Sequence, residues 1–155
     1  MIPAVSSPIH KSLLFGMTEE EAIVAGHQCW YNTIFMSHVP RAGAIRDTKG
    51  ITKMVADANT HEVLGVSMVA VDAGEVNLEA TAALQFRATI YHFIDLLHLY
   101  PTMAEALKIV ASRSSKIPPN SPAVRNSFVN FEKAFKSLEN DRYEDDNSVF
   151  GHGIF

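Results

Sequence analysis

The sequence predicts an α+β domain, an antiparallel sheet packed against helices, followed by an extra amphipathic helix near the C-terminus. Three observations predict it. Runs rich in branched and aromatic residues occupy the first half, QCWYNTIFM, GITKMVADA and EVLGVSMVAV. After Ala73 the apolar period changes from near two to near 3.6. Strands and helices are therefore segregated along the chain, which is the pattern of a two-layer α+β domain.

The elements follow in order. Residues 17–26, MTEEEAIVAG, read as a short helix: Thr18 is the N-cap, Glu21 completes a capping box, the acidic first turn suits the helix dipole, and Gly26 stops it. A strand over 28–36 comes next, then SHVPRAGAIRD as irregular chain or one helical turn. Strands over 50–58 and 62–71 form a hairpin around Asn59 and Thr60. Alternation places Leu64, Val66, Met68 and Ala70 on one face of the second, with Gly65, Ser67 and Val69 on the other. In GEVNLEATAALQFRA, Val76, Ala80, Ala83 and Phe86 recur near helical spacing, beside Leu78, Ala82 and Gln85. This helix has small apolar residues over much of its surface. Thr89 caps IYHFIDLLH, with Ile90, Phe93, Ile94 and Leu97 as its stripe, and a third helix follows Thr102. SSKIPPNSP is a linker. Beyond it Ser121 and Pro122 open a helix whose seam is Val124, Phe128, Phe131, Phe135 and Leu138. The divisions are 1–115 for the main domain, 116–121 for the linker, 122–139 for the added helix, and 140–155 for an acidic then apolar tail expected to be partly disordered.

Composition narrows the function. A chain of 155 residues with 47% hydrophobic and 19% charged residues suits one globular domain. Its formal charge of -4 gives no field favouring nucleic acid or an anionic membrane, and no apolar run is long enough to span a bilayer. The start lacks the pattern of a secretory signal, and the single cysteine, Cys29, rules out an internal disulfide, so a cytoplasmic setting is expected. No dinucleotide fingerprint, phosphate loop, HExxH or nucleophile elbow occurs. The seven histidines are scattered, and His92 and His98 stand six apart, off the spacing of a shared helix face, so no metal site is assigned. Cys29, on a strand, behaves as a small hydrophobe.

The turn DLLHLYPTMAEALK carries an open question. Glu105 completes a capping box with Thr102, and Tyr100 can be a half-buried ring with its hydroxyl in water. Alternatively the two belong to a site whose other half lies elsewhere. Local chemistry leaves both readings standing.

Several patterns in order carry a resemblance: TEEEA after Gly16, RDTKGITKMV, LGVSMVAVDAGE, and the closing HLYPTMAEALK. From about Gly16 to Ser114 the chain resembles the C-terminal dimerisation domain of the pyridine nucleotide-disulfide oxidoreductases, which include lipoamide dehydrogenase, glutathione reductase and mercuric reductase. The segment before Gly16 fits loosely. The resemblance implies a domain that joins two subunits and lends residues to the partner's active site. Flavin and nicotinamide domains precede it in the family, and this chain reads as lacking them. FAD and NAD(P)H are therefore cofactors of the parent family, with none expected on this chain alone.

In disulfide reductases the closing signature reads His-Pro-Thr followed by Glu. Here Tyr100 stands at the His position, while Pro101, Thr102 and Glu105 match. The resemblance implies catalytic roles for Tyr100 and Glu105 in trans, with Pro101 and Thr102 near a partner's flavin. A phenol titrates near 10 and an imidazole near 6.5, so Tyr100 would be a poor proton shuttle at neutral pH. The tyrosine is similar to mercuric reductases, yet the terminal cysteine pair that delivers mercury there has no counterpart in GHGIF. The reading is a dimerisation domain of the mercuric-reductase branch, forming a homodimer and without turnover of its own. The helix around Ala80 to Ala83 and the helix from Thr102 are the expected dimer surfaces. The added helix is expected to cover surface that a flavin domain would otherwise bury. One alternative is a fragment of a split flavin-dependent oxidoreductase with a flavin-domain partner chain. The other is a repurposed small-molecule or metal-binding module.

Overall fold

The computed structural model describes residues 4–6 and 11–114. The expected linker, added helix and tail lie outside them. Five strands form one antiparallel sheet in the order β1-β2-β5-β4-β3: β1 Ala4–Ser6, β2 Lys11–Gly16, β3 Cys29–Phe35, β4 Ile51–Asp57 and β5 Val63–Ala70. The helices are α1 Glu19–Val24, α2 Pro40–Ala44, α3 Ala73–Gln85, α4 Ile90–Asp95 and α5 Glu105–Ser114. A 3-10 turn, Met36–His38, precedes α2. The α+β expectation holds. The sequence predicts no strand before Gly16, whereas β1 and β2 extend the sheet beyond β5. No helix among the described residues is long and apolar enough to cross a membrane.

Local chemistry fixes the ends of α1. The Thr18 hydroxyl accepts from the Glu21 amide at 3.2 Å, and the Glu21 carboxylate accepts from the Thr18 amide at 2.8 Å. At α4 the same exchange uses a histidine: the Thr89 amide donates to His92 Nδ1 at 2.9 Å.

One face of the sheet carries the main core. Ile34, Met54, Val66 and Met68 meet Ala73, Val76 and Ala80 of α3 and Ala106, Leu107 and Val110 of α5, with Ile90 and Phe93 closing the edge. The opposite face holds a smaller cluster in which Tyr31, Val55 and Leu64 pack on Ala22 of α1. Beside it Lys53 is buried but paired, with Nζ 3.3 Å from Glu19 and 4.5 Å above the Tyr31 ring.

Simple alternation along β5 fails at one point. Val55 pairs with Gly65, but Ala56 pairs with Val63, so Leu64 is the extra residue of a β-bulge. Val63 joins Val66, Met68 and Ala70 in the main core, and Leu64 turns to the α1 side. Beside the bulge the chain crosses itself closely. Met17 N donates to Leu64 O at 2.8 Å, and a Cβ on Gly65 would fall 2.0 Å from Met17 O. Only glycine fits there.

Helix ends correct two further expectations. Phe86, read at helical spacing with Val76, Ala80 and Ala83, is the C-cap of α3 and 79% exposed. The chain leaves α4 at Leu96, whose ψ of 130° is extended, so Leu97 lies outside the helix and 91% exposed. On the inner face of α3, Asn77 is buried with neither side-chain amide atom hydrogen-bonded, which costs about 1–3 kcal/mol.

The β4–β5 hairpin turns on Asp57. Its Oδ1 accepts from the Asn59 and Thr60 amides at 2.8 and 2.9 Å, and its Oδ2 lies 2.7 Å from His27 Nδ1. Burial by itself would raise this carboxyl. The Thr60 amide, the His27 ring and the Asn59 amide outweigh burial and bring it from 3.8 down to about 2. A carboxylate held below its unfolded value stabilises the fold above pH about 4, and that contribution disappears as pH falls toward about 2. It amounts to about 2 kcal/mol, since a tenfold change in proton affinity is worth about 1.4 kcal/mol. In urea unfolding across this window, the protein should lose about 2 kcal/mol more than Asp57→Asn does. Equal losses would contradict the assignment.

Candidate functional site

The loop from Leu96 to Ala104, between α4 and α5, carries Tyr100, Pro101 and Thr102, and Glu105 opens α5 directly after it. At its far end Glu105 Oε2 accepts from the Thr102 amide at 3.1 Å, which is half of the expected capping box. The other half is absent. The Thr102 hydroxyl instead donates to the Leu99 carbonyl at 2.8 Å, closing the turn on itself. The first turn of α5 is tightened by bonds from Ala106 N to Met103 O and Leu107 N to Ala104 O. Glu105 thus has a structural task within the chain. The Tyr100–Pro101 peptide bond is cis. The Tyr100 ring is 75% exposed, and no hydrogen bond joins it to Glu105.

The fold places a different carboxylate and imidazole together just inside this loop. His98 Nε2 lies 2.9 Å from Glu79 Oε1, and its Nδ1 lies 3.2 Å from the Leu96 carbonyl. The His98 side chain is 4% exposed. Lys108 of α5 donates to the same Leu96 carbonyl at 3.0 Å. The sequence reading missed this network because Glu79 and His98 are nineteen positions apart, on different elements. A polar residue inside the apolar run LLHLY was the available signal.

Exposed apolar residues occur on α3 and in the loop. Successive residues of a helix turn by about 100°, so α3 has two apolar sides. Ala73, Val76 and Ala80 face the sheet, while Leu78 is 67% exposed and, with Ala82 and Phe86, faces outward. Leu97 and Leu99 extend the exposed apolar character into the loop. Within the two helices expected to form dimer surfaces, Ala80 and Ala106, Leu107 and Val110 are buried in the core, and the outward apolar stripe of α3 is Leu78, Ala82 and Phe86.

Elsewhere the chemistry is subdued. Cys29 pairs across the ladder with Asp57. Burial, with the Glu19 and Asp57 carboxylates, pushes its thiol up to about 11. No group of three or more His, Cys, Asp or Glu side chains among the described residues could hold a metal.

Comparison with known proteins adds the following. The family model for the "Pyridine nucleotide-disulphide oxidoreductase, dimerisation domain" matches residues 14–111. A mercuric reductase of Lysinibacillus sphaericus is 39% identical over 111 residues, which are 72% of this chain and 20% of that protein. A dihydrolipoamide dehydrogenase of Chaetomium thermophilum is 34% identical over 110 residues, 71% of this chain and 22% of that protein. The chain spans about a fifth of the length of these curated relatives. Among solved structures, the HOCl-induced flavoprotein disulfide reductase of Escherichia coli superposes with a TM-score of 0.66 at 27% identity, over 72% of this chain and 26% of that one.

The thiol of Cys29 should be slow to react. At neutral pH, alkylation by iodoacetamide in the folded protein is expected to run at least about tenfold slower than in urea, because the thiolate is scarce. Equal rates would overturn the assignment.

Proposed function

The chain belongs to the family of pyridine nucleotide-disulphide oxidoreductase dimerisation domains, and from that premise we propose that it joins two copies of itself and presents Tyr100 to a site on the partner side. The observation that carries this reading is the outward stripe of α3. Leu78 and Phe86 are large, apolar and exposed, as are Leu97 and Leu99 of the loop that His98 ties to Glu79 of α3. A stripe of that kind on a helix already anchored by its other side is the mark of an interaction surface. A two-fold arrangement is the commonest way for one such surface to be covered by its own copy.

The reductase-type unit in this proposal spans 1–115. Its described residues form an antiparallel sheet, without the parallel βαβ unit and glycine-rich turn that cradle a dinucleotide. Residues of this chain are accordingly not assigned to hold FAD or NAD(P)H, which belong to a flavin-binding region elsewhere. In that arrangement Tyr100 supplies an exposed phenol, Pro101 and Thr102 shape the turn that approaches the flavin, and Glu105 holds the turn through the Thr102 amide. A cytoplasmic setting is part of the proposal, supported by the single cysteine of the sequence.

Exposure of Tyr100 also favours a second reading, that the chain complements a separate flavin-binding chain. Mixing the two would then restore NADPH oxidation, and Tyr100→Phe would remove it.

The dimer reading is tested by sedimentation velocity. The unmodified protein is expected at twice the chain mass. Leu78→Glu combined with Phe86→Glu should raise the dissociation constant at least about a hundredfold, corresponding to about 2.7 kcal/mol, while leaving the circular dichroism spectrum unchanged. A protein that is monomeric at all concentrations, or a dimer indifferent to both substitutions, would overturn it.

A further inference from the structure

His98 is the inward residue of an outward loop. Leu97 on one side and Leu99 and Tyr100 on the other are 91%, 80% and 75% exposed, yet the His98 side chain is almost fully buried. Its ring nitrogens meet two acceptors, the Glu79 carboxylate at 2.9 Å and the Leu96 carbonyl at 3.2 Å. A neutral imidazole has one N–H, whereas the imidazolium has two. With Glu79 ionised, both bonds are therefore made together only when the ring carries both N–H groups. Lys108 binds the same Leu96 carbonyl at 3.0 Å, so α3, the loop and α5 are tied at one point.

We propose that His98, held by Glu79, is a positioning residue for Tyr100: the pair pins the loop so that Leu97, Leu99 and Tyr100 stand outward as a fixed array, and proton uptake by the imidazole tightens the hold. Tyr100 is two positions on from His98, a reach of at most about 7 Å, so a shift of the ring is passed to the turn. The charged groups around the network are Glu79 of α3, in direct contact with the ring, and Lys108 of α5, across the shared Leu96 carbonyl. Glu105 of α5 is engaged one turn further on, at the Thr102 amide. The proposal rests on the reading that the Tyr100 turn meets a second subunit, and it adds what holds that turn in place.

The test is amide hydrogen exchange on the full chain, followed by NMR from about pH 5 to about pH 8, where imidazole ordinarily changes charge. The reporters are the Leu96 amide, bonded to His92 O, and the Thr102 amide, bonded to Glu105. After correction for intrinsic rates, their protection is expected to fall at least about tenfold as pH rises, while that of Met54 in β4 stays level. His98→Ala and Glu79→Gln should lose most of this pH dependence. His98→Gln, which keeps one donor for Glu79, should restore part of the protection without any pH response, and it remains informative if the alanine variant fails to fold. Protection that is independent of pH in the unmodified protein, or a pH response that survives in His98→Gln, would overturn the proposal. Exchange reports on the loop and sedimentation on the assembly. Level protection in a demonstrated dimer would thus overturn this inference alone, and a monomer would overturn the dimer reading alone.

Discussion

A helix can give only one side to its own sheet, and α3 is apolar on two. Its inner side is built of small residues, Ala73 and Ala80 with Val76, which bring the helix close to the strands that carry Val66 and Met68. That choice leaves Leu78 and Phe86 on the other side with nothing of comparable character above them. Covering each such side chain is worth about 1.5–3 kcal/mol, a benefit unavailable while it faces water. The arrangement of the remaining parts follows from it. The α4–α5 loop is tied to α3 through His98 and Glu79, and its own leucines, Leu97 and Leu99, are exposed as well.

The loop also resolves how Glu105 and Tyr100 share one turn. Glu105 folds back on the Thr102 amide, and Thr102 in turn closes on Leu99, so the carboxylate stabilises the turn from within the chain. Tyr100 is left facing outward on a segment already fixed by its neighbours. A cap and a display surface are compatible because they use opposite sides of the same few residues. The interior tie through His98, Glu79 and Lys108 lies on the third side, toward α3 and α5.

What could be read from the sequence was local. The Thr18–Glu21 capping box needs only residues three apart, and both of its bonds are present. The strands at 29–35, 51–57 and 63–70 followed from runs rich in branched and aromatic residues, and the helix at 73–85 from a period near 3.6. The illegible features depend on distant chain. The pairing of β2 with β5 joins Lys11 to Ala70 across some sixty residues, and nothing in KSLLFG announces it. The bulge that turns Leu64 over is set by the register of β4, not by β5 alone. Phe86 and Leu97 fit a helical stripe on paper, but each sits where a helix has already ended. The meeting of His98 with Glu79 and of His27 with Asp57 likewise needs the fold before it has a meaning. The candidate site was legible only as the turn containing Tyr100, Pro101, Thr102 and Glu105. The network behind it carries no spacing that a motif could encode.

The central claim is that the outer stripe of α3 and the neighbouring loop are covered in the assembled protein. Hydroxyl-radical footprinting with mass spectrometry measures this directly, residue by residue. In a single chain Phe86, Leu97 and Tyr100 are among the most accessible side chains, so they should be oxidised rapidly when dilution separates the subunits. At high protein concentration the account predicts that all three become protected, while Val24 of α1, equally exposed on the far side, continues to react. Oxidation of Phe86, Leu97 and Tyr100 at the same rate in both conditions would contradict it.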